Sequence, residues 1–341
     1  FYTIDLTNSY YAKPINFSGS TYQGGTYFSD STYQDWANFS DSTYQGSADF
    51  SDSTYQDWAN FNGSTYKGRA YFRDSIYKGR AYFRDSIYKG GANFHGSTYQ
   101  WVDFSGSDHQ GSADFRNSTY QGWAGFRDSI YKGRAYFRGS IYEGRADFRD
   151  STYPIGADFR DSTYQWVDFS GSNYQGSANF RGSTYKGRAN FRGSTYKDVT
   201  DFSGSIFYQK VYFGTEGDNS SFSRFTDCAP RFYDETNHKN ALFGSNNNDF
   251  TVENGRGYPI YRSLESLPLG CKFLTSEQKE YLEYKFQEID ETNNKLLEAK
   301  DDEEKARLSD MLRSLYKELH EWQEEATTVK AEDAAPGEED N

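Results

Sequence analysis

Aromatic side chains recur at a fixed interval through the first two-thirds of the chain. From Phe17 to Phe213 a Phe stands at every eleventh position, except at two places where the step is ten. A Tyr series runs beside it from Tyr11 to Tyr196, with His109 in one of its places. A period this regular predicts a tandem-repeat fold, in which each unit contacts its neighbours in the same way.

Within one unit, small and aromatic residues alternate with polar ones. In the unit 74–84, Tyr77, Gly79, Ala81 and Phe83 lie two positions apart and share one face of an extended strand, while the residues between them point the other way. This alternation is typical of a half-buried strand. An Asp, Asn or Gly followed by Ser opens each unit, and such residues allow the backbone to turn. Each unit is therefore predicted to form one strand and one corner.

Two units are one residue shorter than the rest. They contain the segments 99–104 and 164–169, and their surroundings, 98–116 and 163–181, are nearly identical and lie 65 residues apart. In a flat antiparallel sheet, the loss of one residue would invert the facing of the strand unless a bulge absorbed it. A coiled chain absorbs the loss at a corner. The short units therefore favour an all-β solenoid over the alternative, a single-layer antiparallel β-meander.

The repeat also resembles a known family. The phrases SADFSDSTYQ (47–56) and RANFRGSTYK (188–197) are similar to pentapeptide-repeat proteins, whose unit is a small residue, Asp or Asn, then Phe or Leu, then two polar residues. Residues 189–193 fit that unit, residues 194–196 begin a second one, and the eleven-residue spacing looks like two pentapeptides and one extra residue. The resemblance covers about residues 11–213. It implies a right-handed, four-sided β-helix with the Phe and the small residue inward.

The second aromatic position departs from the family pattern, because it holds Tyr where Phe or Leu is expected. A buried hydroxyl without a partner costs about 1–3 kcal/mol. Either the Ser and Tyr hydroxyls form continuous ladders, or each Tyr leans outward and keeps its hydroxyl in water. We expect a structural core ladder that includes Tyr66, Phe72, Tyr77, Phe83, Tyr88 and Phe94.

The pattern divides the chain into five parts. We expect an N-terminal cap (1–16), the β-solenoid (17–213), an irregular cap or linker (214–270), a small α-helical hairpin (271–327) and an acidic mobile tail (328–341). A capping box at Thr275–Gln278 opens the first helix, and the hairpin turns near Lys300–Glu304; one long helix docked on a partner would also fit. The side chains expected to pack the helices are Leu282, Phe286, Ile289, Leu296, Leu308, Leu312, Leu315, Leu319 and Trp322.

The charge is unevenly divided. The chain carries a net −13, yet residues 1–205 hold 21 acidic and 21 basic side chains, so the remaining residues carry all of the excess. Some acidic pentapeptide-repeat proteins imitate the charge of DNA, and a neutral solenoid disfavours that role. Nucleic-acid binding is opposed by residues 1–60, which hold seven acids against Lys13. No apolar run reaches the roughly 18 residues that a membrane span needs.

Candidate chemistry is sparse. Cys228 and Cys271 flank one irregular segment, so a loop-closing disulfide and two free thiols are both open. The first residue is Phe rather than Met, which we interpret as a processed N-terminus. The four His residues, at 95, 109, 238 and 320, have no catalytic or metal-ligand spacing and are expected at the surface. We predict no catalytic residue, cofactor or metal. Candidate N-glycosylation sites are Asn16, Asn38, Asn62, Asn117 and Asn219.

These observations predict a non-catalytic structural protein rather than an enzyme. A repeat rod with regular sides suits self-assembly into a filament or surface layer, so the expected partner is another copy of the chain. A protein partner for the C-terminal helices is the second expectation. The alternative function is a protein-binding or adaptor module. We expect an extracellular or cell-surface location, with the cytoplasm as the alternative.

Overall fold

A computed structural model describes residues 2–214, 222–253, 255 and 257–329. These residues form a parallel β-solenoid of about 10 turns, followed by two α-helices, which confirms the predicted fold class. Strands of successive turns pair in parallel with a shift of 22 residues, or 21 at a short unit, as in Tyr55↔Tyr77 and Thr98↔Thr119. The antiparallel meander is not supported.

Each turn has four sides, which we name in chain order after the residue that points inward. The strands of the first tyrosine side are Thr21–Tyr22, Thr43–Tyr44, Thr65–Tyr66, Ile87–Tyr88, Asp108–His109, Ile130–Tyr131, Thr152–Tyr153, Asn173–Tyr174, Thr195–Tyr196 and Arg224–Phe225. The strands of the first alanine side are Ile4–Asp5, Thr26–Tyr27, Ala48–Asp49, Ala70–Tyr71, Ala92–Asn93, Ala113–Asp114, Ala135–Tyr136, Gly156–Asp158, Ser177–Asn179 and Thr200–Asp201.

The other two sides belong to one continuous sheet. The strands of the second tyrosine side are Tyr10–Tyr11, Thr32–Tyr33, Thr54–Tyr55, Thr119–Tyr120, Thr184–Tyr185, Ile206–Phe207, Leu242–Phe243 and Lys272–Phe273. The strands of the second alanine side are Ile15–Asn16, Ala37–Asn38, Ala59–Asn60, Ala124–Gly125, Ala189–Asn190 and Val211–Tyr212. Four longer strands cross the corner between these two sides: Ile76–Tyr82, Thr98–Asp103, Ile141–Asp147 and Thr163–Asp168.

The corner that opens each unit has a left-handed backbone. Asp41 has φ 54° and Gly63 has φ 63°, a region that Gly, Asn and Asp enter more readily than other residues. This explains why only these three residue types precede the Ser and confirms the predicted turn. The same conformation occurs at Asn8, Gly19, Asp30, Asp52, Asp74, Asp85, Gly96, Gly106, Asn117, Asp128, Gly139, Asp150, Asp161, Gly171, Gly182, Gly193 and Gly204.

The short units lose their residue at the corner between the second tyrosine and second alanine sides. Tyr77 is opposite Tyr99 and Arg80 is opposite Trp101, so the register shifts between these two pairs. The inward residues on both sides of the shift keep their facing, because Tyr99 and Val102 are both fully buried. The prediction that a corner absorbs the deletion is therefore confirmed.

Stacked rings fill the interior. Tyr66 stacks on Tyr88 of the next turn, with ring centroids 5.0 Å apart and planes within 1°. The Phe rings form two central columns that meet edge to face, as Phe72 and Phe83 do at 5.0 Å. All six residues of the expected core ladder lie in this cluster and are at most 1% exposed. Offset and edge-to-face pairs of this kind are favourable beyond the area that they bury.

Both ends of the repeat differ from the expected boundaries. Residues 4–16 are not a separate cap, because Ile4–Asp5 pairs in parallel with Thr26–Tyr27 and belongs to the first turn. Within the segment expected to be irregular, Arg224–Phe225 and Leu242–Phe243 continue the columns of the two tyrosine sides. The parallel columns therefore extend beyond the eleven-residue repeat. The segment also contains an antiparallel pair, Tyr233–Asp234 with Lys239–Asn240.

The two helices form the predicted hairpin. Helix α1 spans Ser276–Glu298 and helix α2 spans Asp302–Ala326, so the turn is slightly earlier than expected. Thr275 and Gln278 form the reciprocal hydrogen bonds of a capping box, as predicted. Leu282, Phe286, Ile289, Leu308, Leu312, Leu315 and Leu319 are buried, while Leu296 and Trp322 are half-buried. The expected acidic tail lies outside the described residues from residue 330 onward.

Candidate interaction surfaces

Many of the inward tyrosine hydroxyls take neither of the two expected arrangements, although Tyr33 donates its hydroxyl to the carbonyl of Phe28 at 3.5 Å. Tyr77 and Tyr88 are 1% exposed, and neither hydroxyl has a hydrogen-bond partner within the described residues. The serines form a separate ladder with the backbone: Ser97 Oγ accepts from the N–H of Ser75 at 3.1 Å and donates to the carbonyl of Phe72 at 3.0 Å. Burial raises the pKa of Tyr77 well above its usual range. The Tyr column is thus an apolar stack with buried hydroxyl groups.

His109 is not at the surface, contrary to the expectation from its sequence. It replaces a Tyr in the stack, and its ring lies 4.6 Å from that of Tyr88 and 4.8 Å from that of Tyr131. It is fully buried, and neither ring nitrogen has a partner among the residues described. Burial lowers the pKa of His109 to about 3, so the ring is neutral at physiological pH. Its place in the Tyr series was the sequence signal for this burial.

The two cysteines do not form the disulfide that the sequence left open. Both are free thiols. Cys271 is buried, with Sγ 3.7 Å from the carbonyl oxygen of Phe232, whereas Cys228 is half-buried. Burial raises the pKa of the Cys271 thiol to about 12, so this sulfur is an inert core group.

The glycosylation candidates differ in exposure. Asn16 and Asn117 are exposed, Asn38 and Asn62 are half-buried, and Asn219 lies outside the described residues. Their modification stays a prediction.

The helical hairpin packs on the second tyrosine side. Lys186 Nζ forms an ion pair with Asp290 at 2.7 Å, and the hydroxyl of Tyr208 donates to Glu283 at 2.6 Å. Gln323 of α2 is buried and donates from Nε2 to the carbonyl of Gly204 at 2.9 Å. The apolar residues of both helices form one cluster with Ile206, Leu242 and Leu274. The hairpin therefore directs its apolar face to the solenoid rather than to solvent.

Glu143 lies under this hairpin and is a group that the sequence analysis missed. Its side chain faces Asn293, Tyr316 and Asp290 of the helices, and Lys186 on its own side, around a cavity of about 30 Å³. Desolvation raises the pKa of Glu143 to about 7. The signal was available, because Glu143 is the only Glu in residues 1–205 and stands where most other turns carry Gln or Lys.

A second surface runs along the corner that begins the second alanine side. Five of the six Trp residues of the chain stand here, each just before the inward Ala or Val, and Arg fills the same place in three further turns. Trp36 and Trp58 stack at 5.1 Å with planes 6° apart, and the guanidinium of Arg145 lies 4.2 Å from the ring centre of Trp166. We call this row the tryptophan strip; its members are Trp36, Trp58, Arg80, Trp101, Trp123, Arg145, Trp166 and Arg188.

Two stretches of the described surface stand out, the hairpin on the second tyrosine side and the tryptophan strip. In the part of the chain that the structure describes, no group of three His, Cys, Asp or Glu side chains is placed to hold a metal ion. No helix in this part combines the length and the apolar character that crossing a bilayer requires. The described part of the chain is a rod with four regular sides, and the hairpin covers the C-terminal part of one of them.

The fold and its surfaces define a structural repeat protein, a four-sided β-solenoid of 22-residue turns. The family model of pentapeptide repeats matches residues 13–54 and 165–206, with nine copies. The matched segments carry the pentapeptide repeat, and the C-terminal part has no family match. Neither a curated protein nor a solved structure matches the chain.

Proposed function

We propose that the chain is a non-catalytic structural rod that associates with further copies of itself. The observation that carries the proposal is the pattern of charge along the solenoid. Residues 1–66 hold seven acids and one base, whereas residues 67–205 hold 14 acids and 20 bases. The first part therefore carries −6 and the second +6. Most of the positive excess, +5, lies in residues 67–91, directly after the acidic part, so a second copy displaced along the rod would set unlike charges side by side.

The regular sides support the same role. Identical residues recur on each side at the spacing between stacked strands, about 4.8 Å. One copy therefore offers another a long row of equivalent contacts. We propose that such contacts build a filament or layer outside the cell, where a rigid scaffold of this kind has a mechanical use.

Sedimentation and negative-stain imaging of the purified chain test this proposal. We expect oligomers or rods longer than one solenoid as protein concentration rises, and fewer of them at high salt, because salt screens the attraction between the acidic segment of one copy and the basic segment of another. A chain that stays monomeric at high concentration, across low and high salt and from acidic to neutral pH, would contradict the proposal.

One observation favours the alternative role of a protein-binding or adaptor module. The loop between Tyr258 and Leu269 exposes apolar side chains, with Tyr261 63% and Leu264 fully exposed. The hairpin, in contrast, has its apolar face against the solenoid. If the chain is an adaptor, Tyr261→Ser and Leu264→Ser should abolish partner capture while leaving self-association unchanged. If both variants still capture the partner as the parent chain does, the adaptor role is wrong.

A further inference from the structure

Glu143 is enclosed between the solenoid and the outer part of the helical hairpin. On the solenoid it stands in the strand Ile141–Asp147. Its side chain lines a cavity of about 30 Å³ with Asp290 and Asn293 of α1 and Tyr316 of α2. The Oε2 atom of Glu143 has no hydrogen-bond partner within the described residues, and neither has Oδ1 of Asn293. The hairpin therefore covers a carboxyl group without completing its hydrogen bonds.

The charges around Glu143 do not balance once it ionises. Asp290 faces it from α1, and Lys186 lies on the same side of the solenoid. Lys186 Nζ already contacts both carboxylate oxygens of Asp290, at 2.7 Å each. The group that faces Glu143 from α2 is the hydroxyl of Tyr316, and desolvation raises its pKa well above the usual range, so it stays neutral. Among the described residues, one cation would thus serve two carboxylates in a space that admits little more than a water molecule.

The base of the hairpin is tied to the solenoid by backbone hydrogen bonds. The N–H of Leu274, just before α1, donates to the carbonyl of Phe243 at 2.9 Å. The N–H of Asn240 donates to the carbonyl of Thr327, just after α2, at 3.0 Å. These bonds involve no titratable group, so a change of pH does not break them.

Glu143 lies farther from this base, toward the turn between the two helices. Along α1, the contacts with the solenoid pass from Tyr208 to Lys186 and then to Glu143, which belong to progressively earlier turns. On α2, His320 faces Asp161 of the solenoid. The outer part of the hairpin is thus held through side chains, whereas the base is held through the backbone as well.

We propose that Glu143 makes the docking of the outer part of the hairpin depend on pH. While its carboxyl group carries a proton, the group is neutral and the hairpin packs on the second tyrosine side. When the proton is lost, a carboxylate is enclosed beside Asp290 without a cation of its own, which is costly. The outer part of the hairpin then lifts, so that water reaches both carboxylates, and the base acts as the hinge. The inference does not depend on self-association of the rod.

The direction and size of the effect follow from proton linkage. The pKa of Glu143 is about 7 with the hairpin docked, against a usual value of 4.5 that applies once water reaches the group. The docked form therefore binds the proton more tightly, so docking is strongest at acidic pH and weakens as pH rises through 7. Between about pH 5.5 and about pH 8.5, these two values raise the ratio of lifted to docked hairpin roughly thirtyfold.

Labelling of a cysteine under the hairpin measures the lifted fraction. Ile289 of α1 is 4% exposed and lines the same cavity. In a Cys228→Ser background, Ile289→Cys is treated with a thiol reagent, and its rate is divided by that of Lys89→Cys, an exposed position, to remove the pH dependence of the thiol itself. This corrected rate should rise roughly thirtyfold between about pH 5.5 and about pH 8.5. Val102→Cys, inside the solenoid, reports opening of the solenoid and should show no such rise.

Glu143→Gln tests the residue itself. The two neighbouring turns carry Gln at this place, as Gln121 and Gln165, so the fold accepts the substitution. In this variant the corrected rate of the labelled chain should be the same at both pH values. The matched control is Glu324→Gln, which removes the ion pair with Lys239 at 2.9 Å near the base. It should raise the rate at both pH values and leave their ratio unchanged.

Asp290→Asn gives a second test of the same site. It removes the competing carboxylate, so that Lys186 can pair with ionised Glu143. The rise in the corrected rate should then be smaller than in the parent chain, and an undiminished rise would contradict the role given to this pair of carboxylates.

Three results would overturn the proposal. The first is a corrected rate for Ile289→Cys that is equal at both pH values. The second is a rise that persists in Glu143→Gln, which would assign it to another group such as His320. The third is an equal rise at Val102→Cys, which would mean that the solenoid opens as a whole. A rise confined to Ile289→Cys and abolished by Glu143→Gln would support the proposal.

Discussion

His109 should make the solenoid sensitive to acid at one defined position. The imidazole is stacked between two tyrosine rings, without a partner for either nitrogen within the described part of the chain. Protonation would place a charge in a buried aromatic column, where the neighbouring carboxylate of Asp108 favours the charged form but offsets only part of the cost of burial. The perturbation to examine is therefore a fall in pH, compared between the parent chain and His109→Tyr, which restores the residue found in the neighbouring turns.

The expected effect follows from the two pKa values of this residue. The pKa of His109 is about 3 in the folded chain, against a usual value of 6.5. Between these values the unfolded chain binds a proton and the folded chain does not, so stability is lost as pH falls from about 6.5 towards 3. At about pH 4.5 the loss is two pKa units, or about 2.7 kcal/mol. Above pH 6.5 the contribution of this group is fully present.

Denaturant unfolding of both proteins, followed by far-UV circular dichroism at about pH 7.5 and about pH 4.5, measures this effect. Other acidic groups titrate in both chains, so the useful quantity is the change in the stability difference between them. We expect His109→Tyr to gain roughly 2–3 kcal/mol over the parent on acidification. A stability difference that is the same at both pH values would refute the reasoning, because it would mean that His109 takes up its proton without leaving the stack.

Three further predictions address other features. Tyr77→Phe removes a buried hydroxyl without a described partner and should leave stability unchanged or raise it by about 1 kcal/mol; a clear loss would show that the hydroxyl is bonded. Gly90→Ala should lower the free energy of unfolding by about 1–3 kcal/mol, because the added Cβ would overlap the backbone of Gly68 in the previous turn. Gly91→Ala should be neutral, because the nearest atom to a Cβ there is 3.7 Å away. Equal melting temperatures for the two variants would contradict this. The raised pKa of Glu143, about 7 against 4.5, gives a stabilisation that is present below pH 4.5 and lost as pH rises to 7, by up to about 3 kcal/mol; Glu143→Gln should remove this dependence in thermal unfolding at pH 5 and 8, and an unaltered dependence would assign it to other groups.

The fold could be predicted because its determinants are local and repeated. The left-handed corner needs Asp, Asn or Gly, and the sequence places one of them before Ser in each unit, as at Asp41 and Gly63. The inward pattern of Tyr, Ala and Phe follows from the two-residue alternation of a strand. Since each turn repeats the same corner and the same inward residues, a wrong assignment of one unit would have conflicted with the pattern of the next unit.

The candidate surfaces could be predicted only in part, because they depend on which turns face each other and the hairpin. Glu143 and Tyr316 lie far apart in sequence, and no local pattern indicates that a helix covers that turn. The tryptophan strip can be recognised only with the 22-residue period, because this period assigns the two alanine sides to different positions. With the eleven-residue period alone, Trp58 and Ser47 occupy the same position of the repeat. The burial of the Tyr hydroxyls likewise depends on tertiary packing. The Ser hydroxyls form hydrogen bonds with the backbone rather than with the Tyr hydroxyls.

The position of the short units has a consequence for how such a chain can grow. The two near-identical blocks begin at Thr98 and Thr163, and both residues lie on the second tyrosine side, three turns apart. A duplicated block of this length returns the chain to the same side at the same phase. Recombination between such copies would therefore lengthen or shorten the rod in whole turns without disturbing either terminus. Rod length could then differ by whole turns between related genes.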